Sequence, residues 1–482
     1  MSDTKQELLH GIFWSAIEKY SSLIIGVVVS MILARLLSPE DYGIVAVATV
    51  IIHFFQLFCS MGIAPAIIQK KELDKNDLNN IFSFTVYIGT FLSGLFFILS
   101  FLIADIYNSQ KLATICQLLS IQIFFSAANM VPNALMLRDK RFRQLAQRTL
   151  LLVITSGILS IFAAFYGLGV YSLLISPIIT VIGIFIWNRF FYPVVFIPFF
   201  SFISIKKIYS YSSYQFLFEF VNYFSRNLDK LLIGKFVSFG DLGFYEKSYR
   251  LMQLPLNNLT SVINPVMQPI LSIYEKDYKG ICRKYEKIIH SIALISFPLG
   301  GLLFVCSEEI ITLLYGSQWL LAIPTFKILT FSIPLQLILS TTGAIYQSCN
   351  ATKNLFFVGL RNSFLTIVGF FIALFFWGTI ESVAWGWTLT SFACFISSYW
   401  ELYDRIFHVS LMSLVKQLVF PLISLISTVL VTLFIDYIDG LNYFILLVVK
   451  IGVVLLLQLV LIQMFEFDIF SYIKNKVYVY KL

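Results

Sequence analysis

The chain has 482 residues, 59% of them hydrophobic and only 12% charged, against about 25% charged in soluble domains, so it cannot cover a globular surface with solvated groups. Its solvent is lipid, and spans of about 20 residues take up most of the length, leaving no room for a separate soluble domain. The formal net charge of +8 does not point to nucleic acid, because the Lys and Arg residues are dispersed among short loops and not gathered on one face.

In chain order, apolar runs broken by charge clusters predict about fourteen transmembrane helices, at 11–37, 43–69, 81–103, 112–137, 149–166, 169–190, 213–237, 242–273, 285–306, 321–350, 354–376, 381–403, 413–435 and 441–465. The first run is too long for a signal-peptide core and reads as a retained helix. Loops on one side carry Lys5; Lys70, Lys71 and Lys75; Arg138, Lys140, Arg141, Arg143 and Arg148; Arg189, Lys206 and Lys207; Lys276, Lys279, Arg283, Lys284 and Lys287; Lys353 and Arg361; Arg405 and Lys416; and Lys474, Lys476 and Lys481. The opposite loops hold Arg35 and Lys111 beside Glu308, Glu309, Asp436 and Asp439. By the positive-inside rule both termini are expected in the cytoplasm. The six cysteines lie in or beside spans with no pair at CxxC spacing, so neither a disulfide framework nor a zinc site is expected. Prolines within spans, notably Pro65, Pro177, Pro255, Pro265, Pro269, Pro298, Pro324 and Pro334, permit kinks.

A repeat runs at an offset of 200 residues: ARLLSPEDYGIV from Ala34 aligns with GKFVSFGDLGFY from Gly234. Ser38, Asp41 and Gly43 match Ser238, Asp241 and Gly243, and Ile63 and Pro65 match Ile263 and Pro265. Six predicted spans separate the copies, an even number, which implies parallel repeats about an axis along the membrane normal. The expected organisation is an N-terminal six-helix lobe at 1–192, an interfacial linker at 193–212, a second six-helix lobe at 213–403, and two additional helices with a cytoplasmic tail at 404–482. Asp41 and Asp241 are expected to cap the helices that follow the two repeat turns.

Three spans carry polar stripes. Glu219, Asn222, Tyr223, Arg226, Asp229 and Lys230 share one face of the seventh span; Ser15, Glu18, Lys19, Ser22 and Gly26 share one of the first; and Arg250, Gln253, Asn257, Ser261, Asn264 and Gln268 share one of the eighth. A charge at a helix centre costs at least ~2.5–3.5 kcal/mol, so such stripes face protein or water. One reading is internal glue, with Glu219 neutralising Arg226 and Asp229 neutralising Lys230. The other is a hydrated lumen in which Arg226, Lys230, Arg250 and Lys19 attract an anion, Glu18, Glu219 and Asp229 balance charge or carry a coupling H+ or Na+, and Gln253, Asn257, Asn264 and Gln268 line the wall. Arg suits a phosphate best, because its planar fork binds two oxygens at once. Lys19 lies close enough to its helix end to snorkel, and Lys450 has no evident partner in an apolar span.

The strings ARLLSPEDYG and SRNLDKLLIGKFVSFGDLGFYEKSYRLMQLPLNNLTSVINPVMQPILS, from Ser225 to Ser272, closely resemble the polysaccharide transporter family of Wzx-like flippases. That family lies in the multidrug/oligosaccharidyl-lipid/polysaccharide exporter superfamily. The resemblance implies export of undecaprenyl-pyrophosphate-linked oligosaccharide across a bacterial inner membrane, for lipopolysaccharide, capsule or exopolysaccharide assembly, alongside a polysaccharide polymerase or chain-length machinery. It also implies a V-shaped, two-lobed fold like that of the multidrug extruders, with a cationic lumen and no cofactor. A multidrug antiporter of that superfamily is the nearest rival, though a cationic drug calls for an acidic pocket. A membrane glycosyltransferase or polymerase would need a sizeable catalytic loop, and His10, His53, His290 and His408 lie near no carboxylate pair, so no enzyme is expected.

Overall fold

The computed structural model describes residues 2–60, 63–70, 72–209, 213–272, 277–436 and 442–465, without the side chains of 2–9, 60, 207–209, 213–222, 265–266, 268–270, 272 and 465. The described residues form helices and no strand. In lipid every backbone N–H and C=O must be satisfied within its own segment, which the helix does and an open sheet does not. The chain divides into two compact units, Met1–Glu246 and Lys247–Leu482.

The first unit holds α1 (Ser2–Leu36), α2 (Pro39–Ser60), α3 (Ile63–Gln69), α4 (Lys75–Tyr107), α5 (Gln110–Ala128), α6 (Met130–Arg138), α7 (Phe142–Phe165), α8 (Ser172–Phe191), α9 (Phe202–Tyr209), α10 (Ser213–Phe236) and the start of α11 (Phe239–Ser272). Helix ends follow local chemistry. Asp74 caps α4 in a reciprocal box, its carboxylate accepting from Asp77 N at 2.6 Å, and Asn108 closes the helix in the left-handed conformation, φ 51°. Ile63, Ile67, Ile81, Phe82, Val131 and Leu135 of α3, α4 and α6 make one buried apolar cluster. Between α8 and α9 the chain is non-helical at 193–201, as Pro193 and Pro198 require. Its backbone donors are met by side chains at the start of α4: Val195 N donates to Asn79 Oδ1 at 2.9 Å, Ile197 N to Ser83 Oγ at 2.7 Å and Ser201 N to Asn80 Oδ1 at 3.0 Å.

The second unit continues α11 and adds α12 (Tyr278–Val305), α13 (Ser307–Tyr315), α14 (Ala322–Thr330), α15 (Ile333–Leu339), α16 (Thr342–Ser348), α17 (Thr352–Trp377), α18 (Ile380–Glu401), α19 (Met412–Ile435) and α20 (Tyr443–Phe465). Buried tyrosines fasten α12 to its neighbours: Tyr285 shares hydroxyl hydrogen bonds of 2.8 Å with Thr341 and with Tyr399, whose rings stack. Gly378, at φ 66°, ends α17, and Thr379 caps α18 by accepting from Ser382 N at 3.2 Å.

Each of the fourteen expected segments is helical over its described residues, but two are interrupted: the fourth at Asn129, and the tenth between Thr330 and Thr342, where two pieces meet at 45° and Pro334 opens α15. By length and composition ten of the described helices can cross a membrane, or eleven with the bent pair. The three that fall short are α10 and α11, whose polar stripes lower their hydropathy, and the Trp- and Ser-rich α18.

Candidate functional site

The ends of α1 and α10 turn directly into α2 and α11 through the two copies of the repeat. Ser38 Oγ accepts from Asp41 N at 3.2 Å while Asp41 Oδ2 accepts from Ser38 N at 3.1 Å and from its hydroxyl at 2.8 Å. Ser238 Oγ accepts from Asp241 N at 3.0 Å and donates to Asp241 Oδ2 at 2.6 Å. The serine is thus the cap, and the aspartate closes the box from the third position, which corrects the expectation that Asp41 and Asp241 are themselves the caps. The two turns pack on each other. A Cβ built on Gly43 would run into the carbonyl of Phe239, and one on Gly243 into the carbonyl of Pro39, so both positions require the bare backbone. Turns in contact share one end of the unit.

Within α10 the stripe divides by environment. Asp229 is fully buried and accepts from Tyr245 Oη at 2.6 Å and from Lys230 N at 2.8 Å. Lys230, 9% exposed, reaches Glu246 Oε2 at 2.8 Å, an ion pair that ties α10 to α11. Arg226 is exposed, and among the described residues it has no carboxylate within 4.0 Å. The side chains of Glu219, Asn222 and Gln268 lie outside the described residues.

In α1, Lys19 is exposed, 5.9 Å from the Tyr20 ring centroid, whereas Glu18 accepts from Thr149 Oγ1 at 2.7 Å. Arg148, expected in a loop, is instead a buried member of α7, 6% exposed. Its guanidinium donates to Asn188 Oδ1 at 2.5 Å and Asn133 Oδ1 at 3.2 Å, and Asn188 donates on to Asn129 at 2.8 Å. The asparagines, polar residues in apolar runs, were the signal for this cluster. Beyond the end of α8, burial pushes the Tyr192 hydroxyl above its ordinary pKa; its hydrogen bond to Asp139 adds to the rise and Arg141 opposes it.

In the second unit, Arg250 and Asn257 are exposed, Gln253 donates to Tyr249 Oη at 3.1 Å, and the half-buried Asn264 has an amide oxygen with no hydrogen-bond partner. Two further cations of this unit are buried. Lys247, 1% exposed, sits over the rings of Tyr315 and Trp319 at 4.5 and 5.5 Å. Lys450, also 1% exposed, pairs with Glu309 of α13 and with Asp436 at the end of α19. The sequence alone places those acidic residues in loops. In fact they are the partners that Lys450 lacked.

Long apolar helices, with no strand among the described residues and with buried charges met by carboxylates, amides or aromatic rings, define a multi-pass membrane protein. Residues 32–324 match the family described as "Polysaccharide biosynthesis protein", and the chain belongs to it. It is 23% identical to an "Uncharacterized membrane protein in cps region" of Klebsiella pneumoniae, over 92% of this chain and 93% of that one. It is 25% identical to the "Lipopolysaccharide biosynthesis protein WzxC" of Escherichia coli K12, over 67% and 66%. Among solved structures it shares the fold of a "Lipid II flippase MurJ, inward closed conformation", with a TM-score of 0.75 at 16% identity, covering 95% of this chain and all of the other.

Proposed function

We propose that the protein moves a polyprenyl-pyrophosphate-linked oligosaccharide from the inner to the outer leaflet of a bacterial inner membrane by alternating access, for lipopolysaccharide, capsule or exopolysaccharide assembly. The observation that carries this reading is Arg226, an exposed guanidinium within a span, with no carboxylate at hand among the described residues. A cation left open inside a membrane-spanning helix is costly unless it meets water or an anion, and a diphosphate is the anion its fork fits best. Arg250 on α11 and Lys19 on α1 would add charge along the path. Lys230, already paired with Glu246, keeps a lesser part as a positive neighbour one turn from Arg226. Glu18 and Asp229 are the groups for a coupling H+ or Na+. The names of relatives, including a "Teichuronic acid biosynthesis protein" of Bacillus subtilis, support a surface-polysaccharide pathway.

Arg226→Gln should leave the amount of protein in the membrane near normal and abolish surface polysaccharide, with the lipid-linked intermediate accumulating inside. Arg226→Lys should rescue only part, since the bidentate fork is lost. If Arg226 is glue to Glu219 instead, the single variant should be degraded and Arg226→Gln with Glu219→Gln should recover both level and export. Full export in that double variant would end the substrate role. Altered drug sensitivity with no accumulated intermediate would point to a multidrug exporter.

Topology belongs to the same reading, with both termini cytoplasmic and α13 opening outside. Because Ser307 is buried and Glu308 exposed, Glu308→Cys is the position to label, and the six native cysteines are all buried. Labelling by an impermeant reagent only from the cytoplasmic side would reverse the topology.

A further inference from the structure

In the second unit a cavity of about 480 Å3 lies between the start of α17 and the end of α18, lined by Lys353, Asn354, Phe357, Arg361, Glu401 and Arg405. Its one carboxylate is met from within the protein. Glu401, 8% exposed, lies 3.0 Å from Arg361 Nη1 and accepts from Asn354 Nδ2 at 3.2 Å. Arg361 is fixed a second time by donation to the Ser397 carbonyl at 3.0 Å. Lys353 is exposed and has no ion-pair partner among the described residues, while Arg405, with 69% of its side chain exposed, stands 4.0 Å from Glu401. Three cations against one carboxylate leave the cavity positive, and two of those cations keep their donors open.

The backbone at this point is unusual. α18 does not end in an α-turn but runs into a π-helical segment, Leu402–Phe407, closed by His408 at φ 52°. Such segments are rare and concentrate at ligand sites. Arg405 lies within it, four residues on from Glu401. Around the cavity the helices are dressed for hydrocarbon: Phe357 is 55%, Trp400 61% and Phe364 67% exposed. Aromatic rings beside a cluster of Lys and Arg mark the level where acyl chains give way to headgroups.

The geometry points to a binding site for the phosphate headgroup of an anionic membrane phospholipid, held between Lys353 and Arg405 with its acyl chains along Phe357 and Phe364. Basic pockets between transmembrane helices favour such headgroups, and the apolar rim distinguishes a lipid from a free phosphate. The site shares no residue with the translocation path proposed above and stands or falls apart from it.

Native mass spectrometry of the full-length protein in neutral detergent tests this, with dioleoylphosphatidylglycerol, dioleoylphosphatidylcholine and inorganic phosphate as probes. The anionic lipid should be retained in preference to both others. Lys353→Gln with Arg405→Gln should weaken that binding roughly twenty-five-fold, about fivefold for each cation, whereas the charge-matched pair Lys279→Gln with Lys284→Gln should change it by less than about threefold. Arg361 stays in both, so Glu401 keeps its partner. If the double variant melts below the parent, Lys353→Gln alone carries the test with a loss of about fivefold. Equal weakening by both pairs overturns the site, as does retention of phosphatidylcholine or inorganic phosphate as strong as that of the anionic lipid.

Discussion

Arg226 in the first unit and Lys450 in the second are both cations set in spans, yet their surroundings differ completely. Lys450 is sealed, 1% exposed, with Glu309 at 3% and Asp436 at 38% closing on it. Arg226 is exposed and has no carboxylate near it among the described residues. A hydropathy profile cannot tell a structural cation from one available to a ligand, because the distinction lies in partners far away along the chain: Glu309 precedes Lys450 by 141 residues. Since buried ion pairs act on stability and open cations act on ligands, substitutions at the two positions should separate the two roles.

Lys450→Met should have the largest effect on stability. It leaves Glu309 buried and charged, at a cost of about 3–5 kcal/mol, read as a lowered unfolding midpoint in detergent and less protein in the membrane. Adding Glu309→Gln should restore most of it, and a single variant as stable as the parent would show that the triad holds nothing together. Next comes Gly43→Ala, which pushes a methyl group into the Phe239 carbonyl and should cost ~1–3 kcal/mol. Gly26→Ala is the control, since no atom lies within 4 Å of its added carbon, and equal midpoints for the two would dissolve the close contact. Ser38→Ala and Ser238→Ala should each lose about 1 kcal/mol by removing a cap. A large difference between those two would weaken the equivalence of the turns. Smallest of all in stability is Arg226→Gln, whose midpoint should match the parent even as export disappears.

What the sequence made legible follows from which forces are local. Helices at the fourteen expected segments could be read from apolar runs, α10 and α11 included, although the polar stripes of those two lower their hydropathy below that of the other spans. The capped turn at Ser38 and Asp41 was visible because both members lie within one turn, but the expectation gave the cap to the aspartate where the serine takes it. The breaks at Asn129 and 330–342 were not, since each falls inside a run with no charged residue to mark it. Arg148 was misplaced because it follows four loop cations, and only the fold brings Asn133 and Asn188 to it. The site itself was half visible. Spacing put Arg226, Asp229 and Lys230 on one face, but which of them was already satisfied depended on Glu246 and Tyr245 in the next helix.

The paired turns carry one more consequence. Gly43 meets Phe239 and Gly243 meets Pro39, so under the 200-residue offset the second contact is the first with its two partners exchanged. That reciprocity is the signature of an isologous interface, the kind made when two identical subunits associate about a two-fold axis. Here it is made by a single polypeptide. The contact has the form that a homodimer of half-length chains would leave behind after gene duplication and fusion, with both glycines still required because each copy is the other's binding surface.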